Sequence, residues 1–404
     1  MKRKLVILSD HALTTSGVGL QTRYLIEGLL ENKSGISYDI LQLGAANFHT
    51  HNEDIKVTDN FKIKPINGFG TSEEILATLN EVKPDAFILF SDARFFKHVF
   101  EVQDKIKEIC PIMWWHVWDN RPYPKFNETI YNSVDQINCI SYLTYNLLKD
   151  HYSDKIEYIP HTLPKNLFYQ MDLEEIKKRK AQILGQSKKD HFVAIWANRN
   201  CRRKRPADVL ESWRIFLEKL DHKYKHQDAM LIMHTDPFDR NGPNLFETMK
   251  DLGLKGKVCF SDANVPTEEM NILYNISDCT LNISFAEGFG LSTLESMFTK
   301  TPIIVNQTGG LTRQVIDHRT CNAIGIALKS DVKSLNGNQE TFYIYEDFVS
   351  NSKIAGGIME MYELGSEREA LGEKAFNYVS EEFDYNIMIN SWINSIEKCI
   401  KNRS

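Results

Sequence analysis

Short apolar runs alternate along the chain with segments whose apolar residues recur at helical spacing. Within the first 165 residues the runs predict strands at 5–8, 38–43, 86–90, 112–117, 137–140 and 156–159, and the helical spacing predicts helices at 20–30, 71–82 and 95–109. The strand runs are apolar throughout, which is typical of parallel strands that are covered on both faces. The pattern therefore predicts an α/β fold with a parallel sheet between layers of helices.

The same alternation restarts after a charged helix that is predicted at 173–184. Strands are then predicted at 192–196, 230–234, 258–260, 280–283 and 303–305, with helices at 207–220, 245–252 and 267–274 between them. Two consecutive Rossmann-like domains account for this repetition. We predict an N-terminal domain over 1–165, a C-terminal domain over 166–383 and a final helical segment over 384–404. The polar segment 329–341 is predicted to be an irregular loop.

One loop of the second half combines glycines with a carboxylate. Glu287-Gly288-Phe289-Gly290 follows a predicted strand and precedes a helix that ends before Pro302. Backbone N–H groups and the helix dipole attract anions to such a helix start. The carboxylates of Glu287 and Glu295 can accept hydrogen bonds from neighbouring hydroxyl groups. An anion site beside carboxylates that accept hydrogen bonds from hydroxyl groups predicts a binding site for a sugar nucleotide. We place the further contacts of this site at Phe289, Gly290, Leu291 and Ser292.

This segment resembles the donor-site motif of the retaining GT-B glycosyltransferases of family four. The resemblance rests on two glutamates with seven residues between them, the Gly-Phe-Gly loop, the small-residue helix and the Pro-Ile-Ile-Val strand. It is clearest over 192–316 and weaker over 1–165. It implies the GT-B fold, two Rossmann-like domains facing across a cleft, with a C-terminal helix that crosses back to the N-terminal domain. It also implies transfer of a hexosyl or pentosyl group from a nucleotide-sugar donor to a hydroxyl acceptor, with retention of the anomeric configuration.

A basic stretch follows the predicted strand 192–196. Arg199 and Lys204 match the spacing of the family pattern, an arginine, four residues and a lysine, and the resemblance implies that both neutralise the leaving diphosphate. The glycines that flank this pair in the family are replaced here by Asn198 and Arg205. A run of charges is more commonly a solvated loop. We expect that ordinary role for the remaining cations of the stretch, which are Arg202, Arg203 and Arg205.

Two features of the first half are candidates for the same cleft. Gly17, Val18 and Gly19 lie between the first strand and the first helix, where glycines allow a phosphate to approach the backbone. The third glycine of the dinucleotide-binding motif is absent, so a plain strand-to-helix turn is the alternative. His116 ends a predicted strand, and the resemblance implies that it faces the transferred sugar. A hydrogen-bonded packing histidine is the alternative.

Glu295 carries two interpretations. Ser292-Thr-Leu-Glu295 has the spacing of a capping box, in which the serine caps the helix and the glutamate bonds back to it. The resemblance implies instead that Glu295 binds the ribose of the nucleotide. Glu287 lies before the helix and cannot cap it in this way. For Glu287 the resemblance implies a contact with the donor sugar. We count Glu287, His116, Arg199 and Lys204 as the candidate catalytic residues.

Composition narrows the class of protein. The chain has 404 residues, of which 42% are hydrophobic and 25% charged, and its formal net charge is −6. This charge disfavours nucleic acid as a partner without excluding it. The seven cysteines are scattered and form no Cys-x-x-Cys pair, which is typical of free thiols in a reducing compartment and predicts a cytoplasmic protein. No apolar run reaches the length of a membrane span.

We expect neither a metal nor another cofactor, because the resembled architecture needs none and the predicted sites lack an Asp-x-Asp pair; the nucleotide sugar is a co-substrate. Several functions remain open. A sugar-nucleotide epimerase or a phosphorylase shares this architecture, and an epimerase would need no acceptor. Transfer of a sugar to a modified nucleic-acid base is compatible with the basic stretch. A scaffold that binds a sugar nucleotide without catalysis is the alternative outside the enzymes.

Overall fold

The computed structural model describes residues 1–47, 53–261 and 264–403, and these residues divide into two compact units. Unit 1 holds the described residues of Met1–Thr162, Asn336–Ile344 and Phe383–Ser404. Unit 2 holds those of Leu163–Leu335 and Tyr345–Glu382. The segment 336–344 therefore belongs to unit 1, whereas the sequence placed all of 166–383 in the second domain.

Unit 1 is built on a sheet of eight strands, counted over the residues that the structure describes. In chain order the strands are β1 (Lys2–Asp10), β2 (Ser37–Asn47), β3 (Ile55–Thr58), β4 (Phe61–Asn67), β5 (Ala86–Ser91), β6 (Ile112–His116), β7 (Gln136–Cys139) and β8 (Ile156–Tyr158). Their spatial order is β3-β4-β2-β1-β5-β6-β7-β8. Neighbouring strands run parallel except for β3, which runs antiparallel to β4 at the edge. β3 and β4 were not predicted. β3 is fully exposed, and β4, although partly buried, has lysines and a proline between its apolar residues, so neither forms an apolar run.

Helices cover this sheet. They are α1 (Gly17–Glu31), α2 (Ser72–Val82), α3 (Lys97–Glu101), α4 (Gln103–Ile109), α5 (Glu128–Ser133) and α6 (Tyr142–Leu148), with short 3-10 helices at Ala93–Phe96 and Lys125–Asn127. The single helix predicted over 95–109 is wrong, because Val102 leaves the helical conformation with φ −115° and ψ 17°. Helix α2 starts one residue after its predicted start, with Thr71 as the N-cap and Glu74 completing a capping box.

The last helix of the chain also packs within unit 1. Its N-terminal part lies against α1 at Gly28, where an added Cβ would come within 2.1 Å of Ile389 Cδ1. Near its C-terminal end, Glu397 accepts hydrogen bonds of 2.9 and 2.6 Å from Arg3. Trp392 meets Trp115 of the sheet edge-on, with ring centroids 5.0 Å apart. The apolar face of this helix therefore completes the core of unit 1.

Unit 2 is built on a second parallel sheet. Its strands are β9 (Phe192–Ala197), β10 (Ala229–His234), β11 (Val258–Ser261), β12 (Cys279–Asn282), β13 (Ile303–Asn306) and β16 (Ile326–Leu328). Their spatial order is β11-β10-β9-β12-β13-β16, and every pairing is parallel. Strands β9 and β12, which lie side by side, are fully buried. This confirms the predicted Rossmann-like α/β architecture.

Helices pack on the second sheet, and the described residues also form two small strand pairs. The helices are α7 (Leu173–Leu184), α8 (Pro206–Tyr224), α9 (Leu245–Asp251), α10 (Thr267–Asn275), α11 (Leu291–Phe298), α12 (Leu311–Val315), α13 (Asn351–Glu363) and α14 (Glu367–Glu382). The last helix of the chain, which belongs to unit 1 and is described above, is α15 (Tyr385–Arg403). The pairs are β14 (Ile316–Asp317) with β15 (Asn322–Ala323), and β17 (Val332–Asn336) with β18 (Ile344–Phe348). The loop predicted over 329–341 is thus wrong at β17, whose residues are nearly all exposed and lack an apolar alternation.

Among the described residues, no helix is long and apolar enough to cross a membrane.

Candidate functional site

Three loops of unit 2 meet at the carboxyl edge of its sheet. They follow the strands β9, β12 and β13, which are neighbours in the order of the sheet. Carboxyl ends of parallel strands share one edge, so the residues after these strands are brought together. The backbone N–H of Phe285 donates to the carbonyl of Arg203 at 2.9 Å, and that of Gly310 donates to the carbonyl of Glu287 at 2.8 Å. The basic stretch and the glycine loop are therefore one structural unit.

Glu287 is the centre of this edge, and its side chain is only 9% exposed. Its Oε2 accepts a hydrogen bond from Lys204 Nζ, and Ser284 Oγ donates to the same oxygen at 3.2 Å. Its Oε1 lies 3.5 Å from Nη1 of Arg203, which also donates to the carbonyl of Ala286 at 2.7 Å. Glu287 and Lys204, which were predicted separately as catalytic residues, are thus in direct contact.

The charge state of Glu287 follows from these partners. Burial by itself would raise its pKa, but the positive charges of Lys204 and Arg203, together with the hydrogen bonds from Lys204 and Ser284, hold the pKa at about 2. The carboxylate is therefore ionised at neutral pH although it is buried. An ionised carboxylate fixed at a sheet edge is a strong acceptor for hydroxyl groups.

The other cations of the basic stretch each meet a different carboxylate. Arg199 Nε donates to Asp239 Oδ2 at 2.7 Å, and the arginine side chain is 66% exposed. Arg202 forms two hydrogen bonds with Glu346 of β18, at 2.6 and 2.7 Å. The role that the resemblance implies for Arg199 and Lys204 toward a diphosphate stays a prediction, and Glu287 is contacted by a different arginine. Arg203, for which we expected a solvated role, is the arginine that contacts this carboxylate.

Arg205 supports the loop rather than lining it. Its side chain is fully buried and bonds to Asp208 at 2.8 Å and to the carbonyl of Val349 at 2.8 Å. The guanidinium lies over two rings, 4.8 Å from the centroid of Phe285 and 4.5 Å from that of Phe348. Its backbone φ of +58° makes the turn that starts α8. We therefore assign it to the packing of the basic stretch.

The glycine loop ends where α11 begins. Gly290 is the N-cap residue, with φ +98°, a conformation that favours glycine. The buried amide of Gln314 donates to the carbonyls of Phe289 and Gly290, at 2.8 and 3.1 Å. Phe289 is buried, so of this residue we expect only the backbone to face a ligand. Leu291 and Ser292, in the first turn of the helix, keep partial exposure.

A second glycine allows two loops to touch. At Gly310 an added Cβ would lie 2.4 Å from the carbonyl oxygen of Gly288 and 2.6 Å from Cα of Phe289. Both of these are backbone atoms, which cannot move aside as a flexible side chain does. The turn after β13 therefore presses directly on the loop that carries Glu287.

The capping box predicted for Glu295 is wrong. The N-cap of α11 is Gly290, with no side-chain capping bond, and Ser292 already lies inside the helix. The carboxylate of Glu295 instead accepts a 2.7 Å hydrogen bond from the hydroxyl of Tyr274 at the end of α10. Burial raises the pKa of Glu295 to about 7, although the bond from Tyr274 opposes this. Tyr274 gave no signal in the sequence beyond ending a predicted helix.

In unit 1 the predicted glycine turn is shaped by side chains. Ser16 caps α1 by accepting from the N–H of Gly19 at 3.0 Å, and its hydroxyl donates to Asp10 Oδ2 at 2.7 Å. An added Cβ at Gly19 would lie 2.5 Å from Thr14 Oγ1, so this glycine is required by the turn itself. Gly17 is exposed and Val18 partly exposed. Burial raises the pKa of Asp10, which lies beside this helix start.

His116 lies inside unit 1. Its side chain is completely buried, and its Nε2 is 2.8 Å from the hydroxyl of Tyr131. The ring of Trp114 packs edge-on against it at 4.3 Å. Burial lowers the pKa of His116 to about 3, so the imidazole is neutral at physiological pH. A contact between this ring and a sugar would require movement of its neighbours, and the predicted contact stays a prediction.

The architecture is that of the GT-B glycosyltransferases. The sucrose-phosphate synthase from Thermosynechococcus elongatus superposes with a TM-score of 0.76 over 99% of this chain and 100% of that chain, at 13% identity. Anabaena Alr3699/HepE in complex with UDP and glucose superposes with a TM-score of 0.70 over 98% and 99% of the two chains, at 12% identity. At these identities the likeness concerns the fold.

The sequence identifies the family. Residues 177–378, half of the chain, match the model of the glycosyl transferases group 1. The chain belongs to this family. The trehalose synthase of Thermococcus litoralis is 30% identical over 119 residues, which are 28% of this chain and 27% of that protein. The aligned region thus spans only about a quarter of this curated relative.

Proposed function

We propose that the protein is a retaining, metal-independent glycosyltransferase that takes its sugar from a nucleotide-sugar donor. The observation that carries this proposal is the buried Glu287, which Lys204 and Arg203 keep ionised beside the glycine loop. Such a carboxylate accepts hydrogen bonds from the hydroxyl groups of a sugar. The cations next to it supply the positive charge that a diphosphate requires. Group 1 membership supports sugar transfer over mere binding.

Each side of the site then has a role toward the donor. The N-terminus of α11 and the side chain of Lys204 attract the diphosphate. Glu295, held by Tyr274, accepts hydrogen bonds from the hydroxyl groups of the ribose. Glu287 holds the hydroxyl groups of the transferred sugar. The roles that the resemblance implies for Gly17, Val18, Gly19 and His116 remain predictions.

The reaction needs few side-chain bases. The acceptor oxygen attacks the anomeric carbon from the face that the diphosphate leaves, so the new glycosidic bond has the configuration of the old one. The bond between the anomeric carbon and the diphosphate oxygen breaks, its electron pair stays on the diphosphate, and the diphosphate takes the acceptor proton. Positive charge near the leaving group lowers the barrier because negative charge grows there in the transition state.

We propose a hexosyl group on UDP as the first donor to test, because the superposed Anabaena protein carries UDP and glucose. The acceptor is a hydroxyl compound whose class is open. We place the reaction in the cytoplasm, since the structure describes all seven cysteines as free thiols.

Donor binding is tested by thermal unfolding in the presence of UDP, GDP, ADP and CMP sugars. We expect one of them to raise Tm by mass action, and Glu287→Gln and Glu295→Gln to weaken that shift. The glutamine in the second variant can still accept the hydrogen bond of Tyr274, so its own Tm should stay close to that of the wild type. No Tm shift with any donor would contradict the proposal.

The reaction type is tested on the donor that binds. Products formed with a panel of hydroxyl acceptors are examined by NMR, and we expect them to have the anomeric configuration of the donor. We expect the rate of sugar transfer to stay unchanged after treatment with EDTA. Conversion of the donor sugar without any acceptor would identify an epimerase instead. An inverted product would contradict retention, and loss of activity in EDTA would contradict metal independence.

A further inference from the structure

Two polar side chains lie where strand β12 leads into the glycine loop. Asn282 is the last residue of β12, Ser284 follows shortly after it, and both residues are fully buried. A polar group inside a protein costs free energy unless it is hydrogen-bonded. These two side chains are bonded to each other, since Ser284 Oγ lies 2.7 Å from Asn282 Oδ1. Apolar side chains could fill the same space without this requirement, so the polar pair indicates a role beyond packing.

Ser284 also contacts the carboxylate of Glu287, because its Oγ lies 3.2 Å from Glu287 Oε2. The hydroxyl group has one proton, so at a given moment it donates either to Asn282 or to Glu287. Glu287 is ionised, and an ionised oxygen is the stronger acceptor of the two. The backbone N–H of Ser284 donates to Asn282 Oδ1 at 3.3 Å, so Asn282 still holds the serine when the hydroxyl group turns to the carboxylate.

A second asparagine fixes the backbone of Ser284. Asn306 ends the neighbouring strand β13 and is fully buried. Its Nδ2 donates to the carbonyl of Ser284 at 2.9 Å and to that of Asp347 at 2.7 Å. Ser284 is therefore held from two adjacent strands. A short side chain on a fixed backbone has little conformational freedom to lose, whereas a long one such as that of Lys204 has much.

We propose that Ser284 is a positioning residue for Glu287, and that Asn282 and Asn306 hold Ser284 for this purpose. The inference rests on the proposed function, in which Glu287 accepts hydrogen bonds from the hydroxyl groups of the transferred sugar. By donating to one oxygen of the carboxylate, Ser284 sets the directions in which the other lone pairs of Glu287 point. The sugar then meets an acceptor that is already oriented, which lowers the entropy cost of binding and of reaching the reactive geometry.

The test measures what the sugar contributes to donor binding. Affinities for UDP-glucose, GDP-glucose and ADP-glucose are compared by calorimetry with those for UDP, GDP and ADP, and the ratio within each pair isolates the sugar. A change that only loosened the loop would weaken both members of a pair and leave the ratio unchanged.

Three substitutions of Ser284 differ in the donor that they leave. Ser284→Ala removes the hydroxyl group, Ser284→Cys keeps the volume with a much weaker donor, and Ser284→Thr keeps the hydroxyl group. Tm of each variant reports its folding, and Ser284→Cys carries the test if the alanine variant does not fold.

The expected results refer to the pair that the wild type binds most tightly. Ser284→Ala and Ser284→Cys should lower the ratio roughly 3- to 10-fold, as for one lost hydrogen bond to a charged group. Ser284→Thr should stay within about threefold of the wild type. Ser296→Ala is the matched control, because this buried serine lies 2.7 Å from Thr280 Oγ1 and 2.9 Å from the carbonyl of Thr301, and neither contact involves Glu287. Its ratio should equal that of the wild type.

Glu287→Ala shows whether Ser284 acts through the carboxylate. In that background Ser284→Ala should change the ratio by less than about twofold, because the group that the serine positions is absent. An unchanged ratio in Ser284→Ala and Ser284→Cys, or an equal loss with and without Glu287, would overturn the positioning role while the proposed function stood. If the wild type bound none of these nucleotide sugars, or Glu287→Ala left the ratio unchanged, the proposed role of Glu287 and this inference would fail together.

Discussion

The hydroxyl of Tyr274 donates a 2.7 Å hydrogen bond to Oε2 of Glu295. Tyr274 is fully buried at the end of α10, so it fixes the carboxylate of α11 from a neighbouring helix. Glu295 and Glu287 thus lie close together in sequence but in opposite electrostatic situations. Burial raises the pKa of Glu295 to about 7, whereas two cations hold that of Glu287 at about 2. The two glutamates should therefore respond differently to pH.

The first prediction concerns the stability that Glu295 contributes. Its pKa is raised from 4.5 to about 7 in the folded protein, so the folded state holds this proton more tightly than the unfolded chain. The stabilisation is fully present below pH 4.5 and is lost as the pH rises to about 7, with a total change of at most about 3 kcal/mol. We expect the free energy of unfolding of the wild type, minus that of Glu295→Gln, to fall across this range in urea titrations.

Glu287→Gln serves as the control for this measurement. The lowered pKa of Glu287 means that its ionised form stabilises the fold above pH 4.5, and that this contribution is lost only as the pH falls towards about 2. Its difference from the wild type should be flat between pH 4.5 and 7. A flat difference for Glu295→Gln as well would show that the pKa of Glu295 is not raised.

The second prediction concerns the buried ion pair of Lys204 and Glu287. Lys204→Met leaves a buried carboxylate with Arg203 and Ser284 as remaining partners, and should cost about 2–4 kcal/mol of stability. Adding Glu287→Gln removes the uncompensated charge, so the double variant should be more stable than the sum of the single effects predicts. Urea unfolding of the four proteins gives the coupling energy.

The exposed pair of Lys177 and Glu174 offers a matched cycle on α7, at a distance of 2.8 Å. Because solvent screens both charges, the coupling there should be much weaker than at Lys204 and Glu287. Equal coupling at the two pairs would mean that burial does not strengthen the interaction at the glycine loop.

The third prediction separates Arg205 from Arg202. Arg205→Ala removes a buried guanidinium that bonds to Asp208 and Val349 and lies over two phenylalanine rings, so it should cost about 2–4 kcal/mol. Arg202 is 67% exposed, and Arg202→Ala should cost less than about 1 kcal/mol. Denaturant midpoints of both variants check this order, and the reverse order would contradict a packing role for Arg205.

The fourth prediction tests the contact of the two loops at Gly310. An alanine there would place its Cβ 2.4 Å from the carbonyl oxygen of Gly288, so the loop that carries Glu287 must shift. We expect Gly310→Ala to weaken donor binding by about tenfold or more, since a displaced loop misplaces the carboxylate. Isothermal titration with the donor that binds measures this loss.

Gly356→Ala is the control for Gly310→Ala, because it adds the same methyl group where there is space for it. Gly356 lies in α13, and an added Cβ would meet no atom within 4 Å. Gly356→Ala should leave donor affinity unchanged and stabilise the protein by about 0.5–1 kcal/mol through helix propensity. Unchanged donor affinity in Gly310→Ala would mean that the loop tolerates the extra methyl group.

Much of the scaffold could be predicted from the sequence because burial on both faces of a parallel strand leaves a readable apolar run. Strands such as β9 and β12 were predicted to within about one residue, and α7 was predicted with its observed bounds. Strands β3 and β17 were not predicted, because their side chains are exposed. An exposed strand needs no run of apolar residues, so it leaves no pattern in the sequence. The pairing of β17 with β18 depends on backbone hydrogen bonds that need no particular side chain.

The glycine loop, Glu287 and Lys204 were likewise singled out from motif and spacing, and the structure brings Glu287 and Lys204 into contact because the carboxyl ends of neighbouring parallel strands share one edge. The tertiary structure alone decided which arginine reaches Glu287, because the left-handed turn at Arg205 and its burial between Phe285 and Phe348 set the direction of the whole basic stretch. It also decided that Glu295 is held by Tyr274 rather than by a helix cap. Sequence thus determined which elements and charges exist, while contacts between residues far apart in the chain determined how the charges are paired.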